Sequence, residues 1–376
     1  MNGTVTSLFL LSFLTFGCTE SETNSPNKTL TVTTWNVALS PNYVAYAVER
    51  QPAVLDALQT VDSDIICLQE VWFEPARDAV RAVLESNGYN VHIYLTEGGD
   101  ASGGCTVEES DPLKNCVYDF ECDKVDPESL VSCVTDNCGE ELGQVSSECS
   151  GCMAQNLSLP VDEIMEQCIG VVGAIAFSHE GHNGLVLASK SPLSNIEEAD
   201  FDASLNYRSY IKATIAEHDV QVVCTHLTAD QSIPYTGKYS GYPEEQAQQV
   251  DQLLGVIASN PRLILIGDIN TGPSNEAAGI SAEIPENWQK FTDAGWSSHT
   301  ASECTWCPDA NSLINSGTDL TIDHVMTHTS WADGLTGTST RLFEETVTIQ
   351  DADGVDQVVN ISDHFGMTTT LRWSAD

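Results

Sequence analysis

Apolar and polar residues alternate in short blocks along most of the chain, and their spacing changes from block to block. In residues 29–39 (TLTVTTWNVAL) polar and apolar positions alternate, which is typical of a β-strand. Residues 47–61 place apolar side chains three and four positions apart, which predicts a helix. Strands are predicted again at 63–71 and 90–95, with an amphipathic helix at 76–89 between them. Strands that alternate with helices in this way predict a layered α/β fold.

The periodic pattern stops after residue 95 and resumes at residues 170–178 (GVVGAIAFS). We interpret the residues between, about 97–169, as an insertion. The second half continues in the style of the first, with a helix from about Glu244 to Ile257 followed by the apolar strand RLILIGDIN. We find no internal repeat, so the simplest partition is one large domain, residues 29–376, that carries one insertion.

The cysteines also distinguish the insertion from the rest of the chain. Cys67 and Cys224 stand in apolar, strand-like runs, and Cys304 and Cys307 (CTWC) predict a short-loop disulfide. Eight of the thirteen cysteines fall in the insertion, namely Cys105, Cys116, Cys122, Cys133, Cys138, Cys149, Cys152 and Cys168. This density predicts an insertion stapled by disulfides of undetermined connectivity, although CSGC at 149–152 also allows a zinc site.

The N-terminal residues have the pattern of an export signal. An apolar stretch from Leu8 to Phe16 is too short to span a bilayer, and Cys18 and a polar segment follow it. We therefore predict an export signal at residues 1–18 and a polar linker at 19–28. LTFGC at 14–18 is similar to a bacterial lipoprotein box, in which the cysteine is lipidated. The prediction is a secreted protein or a cell-surface lipoprotein, the latter with peripheral or lipid-anchored membrane association.

The charge balance disfavours one class of partner. The chain has 55 Asp and Glu residues against 14 Lys and Arg, a formal net charge of −41 at pH 7. Such a field repels nucleic acid and anionic membrane surfaces, and it attracts cations. A solvated surface suited to a salty exterior is the simplest explanation of the charge. Binding of nucleic acid through a basic groove is disfavoured.

Polar side chains that can bind a cation or move a proton follow the predicted strands. They are Asn36, Glu70, His226, Asp268, Asn270, Asp323, His324, Asp363 and His364. Taken singly, each has an ordinary structural interpretation, such as a helix cap, an Asx turn or a satisfied core histidine. In layered α/β folds, however, loops gather ligand-binding groups at strand ends. Together these residues predict a site for a hard divalent cation with acid and base groups beside it.

Six motifs in order resemble those of the endonuclease/exonuclease/phosphatase superfamily, which includes the pancreatic-type deoxyribonucleases. They are TWNV (34–37), LQE (68–70), THL (225–227), GDIN (267–270), IDHV (322–325) and SDH (362–364). The resemblance runs from about residue 29 to 373 and leaves only the insertion unaccounted for. It implies a four-layer α/β sandwich, two packed mixed β-sheets flanked by helices, with a disulfide-rich insertion. Within the superfamily, the flanking segments TTWNVALSP, YIKATIAEHDVQVVCTHLTAD and CTWCPDANSL are similar to those of bacterial sphingomyelinases.

The resemblance also implies a metal site. Glu70 would be the principal ligand of Mg²⁺, with Asn36 beside it and Asp363 assisting. Mn²⁺, Co²⁺ and Ca²⁺ are alternative ions for the same oxygen ligands.

The resemblance implies catalytic roles for five further residues. Asp268 and Asn270 would position the nucleophilic water and the scissile phosphate. Asp323 would hold and polarise His364, the general base or proton shuttle. His226 would stabilise the charge that develops on the phosphoryl group or protonate the leaving oxygen.

Other candidates are weaker. Asn183 lies in a segment similar to one beside the phosphate in the family, but its Gly-rich turn has an adequate structural explanation. Arg208 and Lys212 are scarce positive charges before His226, and either a phosphate contact or a surface salt bridge explains them. We interpret four aromatic residues as core or rim packing: Trp72, Phe73, Trp296 and Trp306.

These observations predict an exported, monomeric, Mg²⁺-dependent phosphodiesterase. Its expected substrate is a phospholipid headgroup, hydrolysed by in-line attack of water as in sphingomyelinases and phospholipases C. Two alternatives remain open. One is an extracellular nuclease similar to deoxyribonuclease I, which would use the same catalytic residues. The other is a noncatalytic cell-surface binding protein with the insertion as its interaction module.

Overall fold

The computed structural model describes residues 27–41, 43–95, 104–125, 127–157, 159–170, 182–231, 233–258, 260–300, 303–331, 335–351 and 354–374. The predicted export signal lies outside these residues, as do the linker before residue 27 and the strand predicted at 170–178 after its first residue. None of the helices in the described ranges is long and apolar enough to cross a membrane.

Two mixed six-stranded sheets pack face to face. The first has the order β11 (Thr336–Leu342), β14 (Gly366–Ser374), β1 (Asn27–Leu39), β2 (Ile65–Val71), β4 (Val186–Ser189), β3 (Asn90–Ile93). The second has the order β5 (Leu193–Asp200), β6 (Ser209–Ile215), β7 (Val220–His226), β8 (Leu263–Asp268), β10 (Asp323–His328), β9 (Trp296–Ser298). A separate hairpin consists of β12 (Thr346–Gln350) and β13 (Asp356–Asn360). The neighbours β1 and β2 are parallel, as are β7 and β8, so in each pair the two carboxyl ends lie at the same edge of their sheet.

The layer between the sheets is the centre of the core. Alternate residues of each strand face it, for example Leu30 and Val32 of β1 and Ile264 and Ile266 of β8, all fully buried. This is the alternation that the sequence of residues 29–39 predicts. A disulfide between Cys67 of β2 and Cys224 of β7 crosses the layer, with the Cα atoms 5.5 Å apart.

Helices cover the outer face of each sheet. On the first sheet lie α1 (Ala47–Thr60) and α2 (Glu74–Ser86), which bury Val54, Leu58, Val80 and Leu84. On the second lie α7 (Tyr242–Ile257) and α8 (Pro285–Asp293), which bury Val250, Leu253 and Phe291. Burial of each such side chain contributes about 1.5–3 kcal/mol. The predicted four-layer α/β sandwich is confirmed.

The described part of the insertion is helical. It contains α3 (Val107–Asp119), α4 (Pro127–Leu142), α5 (Ser147–Gln155) and α6 (Val161–Cys168). A capping box begins α3, in which the Thr106 hydroxyl accepts from the amide of Glu109 and the Glu109 carboxylate accepts from the amide of Thr106. These helices surround an apolar core of their own.

Disulfides hold the insertion together, as its cysteine content predicts. The pairs are Cys105–Cys149, Cys116–Cys138, Cys122–Cys133 and Cys152–Cys168. Both cysteines of CSGC are therefore used, and the alternative zinc site at 149–152 is not formed. The predicted short-loop disulfide between Cys304 and Cys307 is also present.

Loss of the Cys67–Cys224 disulfide is expected to destabilise the fold much more than loss of Cys304–Cys307. The first closes a sequence separation of 157 residues and the second a separation of 3. Loop-closure entropy predicts losses of about 5 and about 2 kcal/mol in the free energy of unfolding. Urea unfolding of the two double Cys→Ala variants measures the difference, and equal losses would contradict it.

Candidate active site

The register of the second sheet places three predicted site residues in a row. His226 of β7 pairs with Asp268 of β8, and Asp268 pairs with Asp323 of β10. In the first sheet, Asn36 of β1 pairs with Gln69 of β2, next to Glu70. The two rows face one another across a cleft of about 450 Å³. Seven predicted site residues line this cleft, namely Asn36, Glu70, His226, Asp268, Asn270, Asp363 and His364, and Asp323 supports His364 from behind.

The backbone is left-handed at three points around the cleft. Ala38, Glu70 and Asn270 have φ values of 50°, 60° and 51°. Left-handed backbone is unfavourable for residues with a Cβ, and such strain concentrates at functional sites, where it directs side chains. Gly267 of the GDIN motif meets a different constraint, because a Cβ there would lie 2.0 Å from the carbonyl oxygen of Thr225.

His364 and Asp323 form a hydrogen-bonded pair. Nδ1 of His364 lies 2.8 Å from Oδ2 of Asp323, and Trp306 packs edge-on against the imidazole with the ring centroids 5.1 Å apart. Because Nδ1 donates to the carboxylate, Nε2 is the nitrogen left to exchange a proton. Burial opposes a charge on this ring, but the Asp323 and Asp268 carboxylates outweigh it and hold the pKa of His364 well above its ordinary value. The two carboxylates therefore favour the imidazolium form of His364.

Asp268 lies at the centre of the cleft. Its Oδ1 accepts from the amide of Asn270 at 3.1 Å, and its Oδ2 accepts from Nδ2 of Asn36 at 3.0 Å. Oδ2 also lies 3.5 Å from Nε2 of His226 and 3.8 Å from Nδ1 of His364. Burial, and then the charge of Asp323, raise the pKa of Asp268 to about 7. This carboxyl can therefore change its protonation state near neutral pH.

Arg208 fixes the orientation of His226. Nη1 of Arg208 lies 3.0 Å from Nδ1 of His226. Because a guanidinium only donates, Nδ1 is the acceptor and Nε2 carries the proton that faces Asp268. Arg208 is 4 % exposed and lines the cleft, and its Nε has no hydrogen-bond partner among the described residues. Burial lowers the pKa of Arg208, whereas the charges of Glu70 and Asp268 raise it.

Glu70 and Asp363 form an acidic pair on the opposite side of the cleft. Burial raises the pKa of Glu70, and so does the charge of Asp363. Oδ1 of Asp363 is buried and has no hydrogen-bond partner in the described part of the chain. Buried carboxylate oxygens without partners are costly unless a cation or a proton compensates them. This donor set fits a hard divalent cation.

Asn36 lies between the acidic pair and Asp268. Its Nδ2 donates to Oε1 of Glu70 at 3.1 Å as well as to Asp268, and its Oδ1 accepts from the amide of Ala38 at 3.1 Å. The amide nitrogen, and not the oxygen, faces the carboxylates in this arrangement.

A second group of side chains is close enough to hold an ion. Ligand atoms of Asp268, Asp323 and His364 lie within 4.8 Å of one another. Nδ1 of His364 is already engaged by Asp323, however, and this arrangement favours a proton-transferring pair over a metal ligand. Oδ1 of Asp323 and Oδ1 of Asp363 are both buried without a hydrogen-bond partner among the described residues, so the engaged Nδ1 of His364 is what favours the acidic pair as the cation site.

Three of the remaining polar candidates lie elsewhere. Lys212 contacts Glu197 of the neighbouring strand at 3.3 Å, and Asn183 donates to the carbonyl oxygen of Tyr94 at 3.2 Å. His324 is buried behind the cleft, where Nε2 lies 3.0 Å from the carbonyl oxygen of Thr271 and burial lowers its pKa to about 4.

Two buried polar residues support the site without having been predicted. Arg50 donates to the carbonyl oxygens of Ala38 at 2.8 Å and Ile361 at 2.6 Å, which fixes the segments next to Asn36 and Asp363. Gln246 donates to the carbonyl oxygen of Asn270 at 2.7 Å. Arg50 stands on an otherwise apolar helix face, and this signal could have identified it from the sequence, whereas Gln246 shares its buried face with Glu245 and Gln249.

Comparison with known proteins identifies the family. A model of the endonuclease/exonuclease/phosphatase family matches residues 33–364. The chain belongs to this family. It is accordingly a metal-dependent phosphoric diester hydrolase, as the six motifs and the intact cleft predict.

Two crystal structures illustrate the shared fold. Sphingomyelinase C from Streptomyces griseocarneus is 16 % identical, with a TM-score of 0.53 over 91 % of this chain and 99 % of that one. A mutant beta toxin from Staphylococcus aureus with bound magnesium ions is 13 % identical, with a TM-score of 0.53 over 91 % and 99 % of the two chains. No curated protein matches the chain in sequence. At these identities the likeness shows the fold alone.

Proposed function

We propose that this protein is an exported, magnesium-dependent phosphodiesterase that hydrolyses a phospholipid headgroup, as sphingomyelinases and phospholipases C do. The main support is the content of one cleft, which combines an acidic pair, a His–Asp pair and a His–Arg pair. Hydrolysis of a phosphodiester needs neutralised charge, an oriented water and a proton for the leaving oxygen. The cleft has a candidate group for each of these.

Glu70 and Asp363 would hold the metal ion, with Asn36 fixing both Glu70 and Asp268. When bound, Mg²⁺ would neutralise charge on the nonbridging oxygens of the phosphate. Mn²⁺, Co²⁺ and Ca²⁺ remain alternatives for the same oxygen donors.

The histidines would move the protons. Asp268 and Asn270 would orient the water, and Nε2 of His364, in the neutral form of the ring, would take its proton as the oxygen attacks phosphorus in line. Asp323 stabilises the resulting imidazolium. On the leaving side, Nε2 of His226 donates its proton to the departing oxygen or hydrogen-bonds the charged phosphoryl oxygens, and Arg208 keeps the ring in that orientation.

The scarcity of positive charge favours a lipid over a nucleic acid. Arg208 is the only Lys or Arg among the described residues that line the cleft. Affinity for a nucleic-acid backbone comes largely from several such contacts. The sphingomyelinase C of similar fold and the flanking motifs support the same choice.

We also propose that the protein is exported. Six disulfides support it, because disulfides persist in oxidising compartments. In this proposal the chain has an export signal at residues 1–18 and a linker at 19–28. One monomeric catalytic domain follows from residue 29, with its insertion at about 97–169. Mass spectrometry of the exported chain would distinguish a lipidated Cys18 from simple cleavage.

A substrate panel tests the assignment. With Mg²⁺, we expect release of phosphocholine from sphingomyelin or phosphatidylcholine, and we expect EDTA to abolish it. Phosphoinositides, plasmid DNA and a simple diester complete the panel. Nicking of plasmid that falls steeply with salt, without headgroup release, would support the nuclease instead. Binding of Mg²⁺ without hydrolysis of any diester would support the noncatalytic binding protein.

Arg208→Ala is expected to reduce kcat/KM for the preferred diester by about 10²-fold or more, because His226 loses its orienting partner and the phosphate loses a charged donor. Lys212→Ala is the matched control, since Lys212 does not line the cleft and contacts Glu197. Steady-state kinetics of both variants measures the contrast. Equal effects of the two substitutions would show that Arg208 acts only through general charge.

A further inference from the structure

A second cavity, of about 220 Å³, lies between the insertion and the rest of the catalytic domain, which we call the catalytic framework. Each of the four insertion helices contributes an apolar side chain to its wall, namely Leu113 of α3, Val134 of α4, Ala154 of α5 and Ile164 of α6. Leu205, Ile233 and Pro234 of the catalytic framework form the opposite wall. The two walls approach closely at the rim, where a Cβ on Gly143 would lie 3.5 Å from Cβ of Pro234.

The cavity adjoins the catalytic cleft. Tyr43 and Gln231 line both spaces, so the apolar cavity begins where the polar cleft ends. Tyr43 is 38 % exposed. A ligand that holds its phosphate among the cleft residues could therefore extend past these two side chains into the cavity.

Disulfides and methionines are features of the cavity wall. Cys105–Cys149 and Cys152–Cys168 link α5 to the start of the insertion and to α6, which restricts the movement of these helices relative to one another. Met153 and Met165 also line it, and methionine adapts to irregular apolar ligands. An empty apolar cavity costs stability in proportion to its volume, a cost that bound hydrocarbon would remove.

We propose that this cavity, which we name the chain pocket, binds one hydrocarbon chain of the substrate whose phosphodiester lies in the cleft. The proposal rests on the proposed lipid phosphodiesterase function and extends it, because it makes the insertion part of substrate recognition. Pockets that enclose a whole drug-sized ligand measure about 300–1,000 Å³. The chain pocket is smaller, and it therefore takes a segment of one chain and not an entire lipid.

A chain-length series tests the proposal. The substrates are monomeric alkylphosphocholines from butyl to decyl, with nitrophenyl phosphocholine as a diester without an alkyl chain, all assayed with Mg²⁺. In the unmodified protein we expect KM to fall by up to about fourfold for each methylene that enters the pocket, until it is full.

Two variants block the pocket in different ways. Ala154→Trp fills it, and Leu157→Asp puts a charge on its half-buried rim. Both should abolish the dependence on chain length while leaving turnover of nitrophenyl phosphocholine within about twofold of the unmodified protein. Glu148→Trp is the matched control, because it places the same side chain on the solvent face of α5. If one of the two pocket variants hydrolyses none of the diesters, the other variant is used for the comparison.

Binding of 1-octanol separates this proposal from the functional one, since octanol has a chain but no phosphodiester. Calorimetric binding that Ala154→Trp abolishes and Glu148→Trp preserves would support the chain pocket even if no phospholipid is hydrolysed. Headgroup release with no dependence on chain length and no octanol binding would overturn the chain pocket alone. That result would also be expected if another part of this chain fills the cavity.

Discussion

His364→Ala is expected to lower kcat by about 10²–10⁴-fold, the usual contribution of general acid–base catalysis, with the fold preserved. His364 is positioned by contacts that do not depend on its imidazole. The indole nitrogen of Trp35 donates to its carbonyl oxygen at 3.1 Å, and its amide donates to Oγ of Ser362 at 3.2 Å. Truncation of the ring should therefore remove proton transfer at Nε2 and leave the backbone in place.

Release of headgroup phosphate ester under saturating substrate measures the loss, and circular dichroism and urea unfolding check the fold. Asp323→Asn should reproduce part of the loss, because it leaves the imidazole in place but removes the charge that stabilises its protonated form. His218→Ala is the control, since His218 lies in the turn between β6 and β7 and does not line the cleft. A His364→Ala enzyme within tenfold of the unmodified kcat would exclude His364 as the general base.

The framework of the fold could be predicted because its signals are local. Alternation in residues 29–39 and the apolar spacing in 47–61 correspond to β1 and α1 within two residues at either end. The strand order could not be predicted in this way, because it depends on pairings between segments far apart in the chain. Cys67 and Cys224, 157 residues apart, illustrate the difference: each was visible in an apolar run, but their proximity arises only when the sheets pack.

The insertion shows another limit of the sequence. Its cysteines predicted disulfides, but its four helices were not predicted, because Gly, Ser and acidic residues interrupt the apolar periodicity. Covalent cross-links and a small shared core stabilise these helices, which weak amphipathicity alone would not do.

The identities of the site residues were predictable, but their connections were not. Motifs placed Glu70, Asp268 and His364 at strand ends, and the structure gathers them in one cleft. Arg208 orients His226, and the nitrogen of Asn36 faces the carboxylates. Both contacts depend on side-chain directions that no local sequence pattern encodes. Left-handed backbone at Glu70 was equally invisible, because the residue type does not favour it.

Asp268→Asn is expected to reduce turnover by at least about 10²-fold with the fold retained. The amide keeps an oxygen for the Asn270 amide, so the turn after β8 should survive. At the other position an NH₂ group would replace Oδ2 and would confront two donors, Nδ2 of Asn36 and Nε2 of His226. The substitution therefore breaks the hydrogen bond between Asn36 and Asp268, which connects the two sheets across the cleft, and removes the charge beside His364.

The stability of the same variant gives an independent test. The pKa of Asp268 is raised to about 7, so the folded metal-free protein retains a proton that the unfolded chain releases. Folding stability from this group therefore decreases as pH rises through the interval from its ordinary pKa to about 7. Asparagine removes this penalty. In EDTA, the free energy of unfolding of Asp268→Asn, measured in urea relative to that of the unmodified protein, should accordingly be higher at about pH 8 than at about pH 5.

Asp219→Asn is the matched control for both measurements, because its exposed carboxylate contacts Arg262 on the surface. It should change neither turnover nor the pH dependence of unfolding appreciably. If Asp268 serves only as the acceptor in an Asx turn, Asp268→Asn will retain nearly full turnover, and the assignment of its carboxylate to the reaction will be wrong. Lost turnover together with a retained fold and a weaker pH dependence of unfolding is the combination that a catalytic carboxylate requires, because the charge at this position then serves the reaction and not the fold.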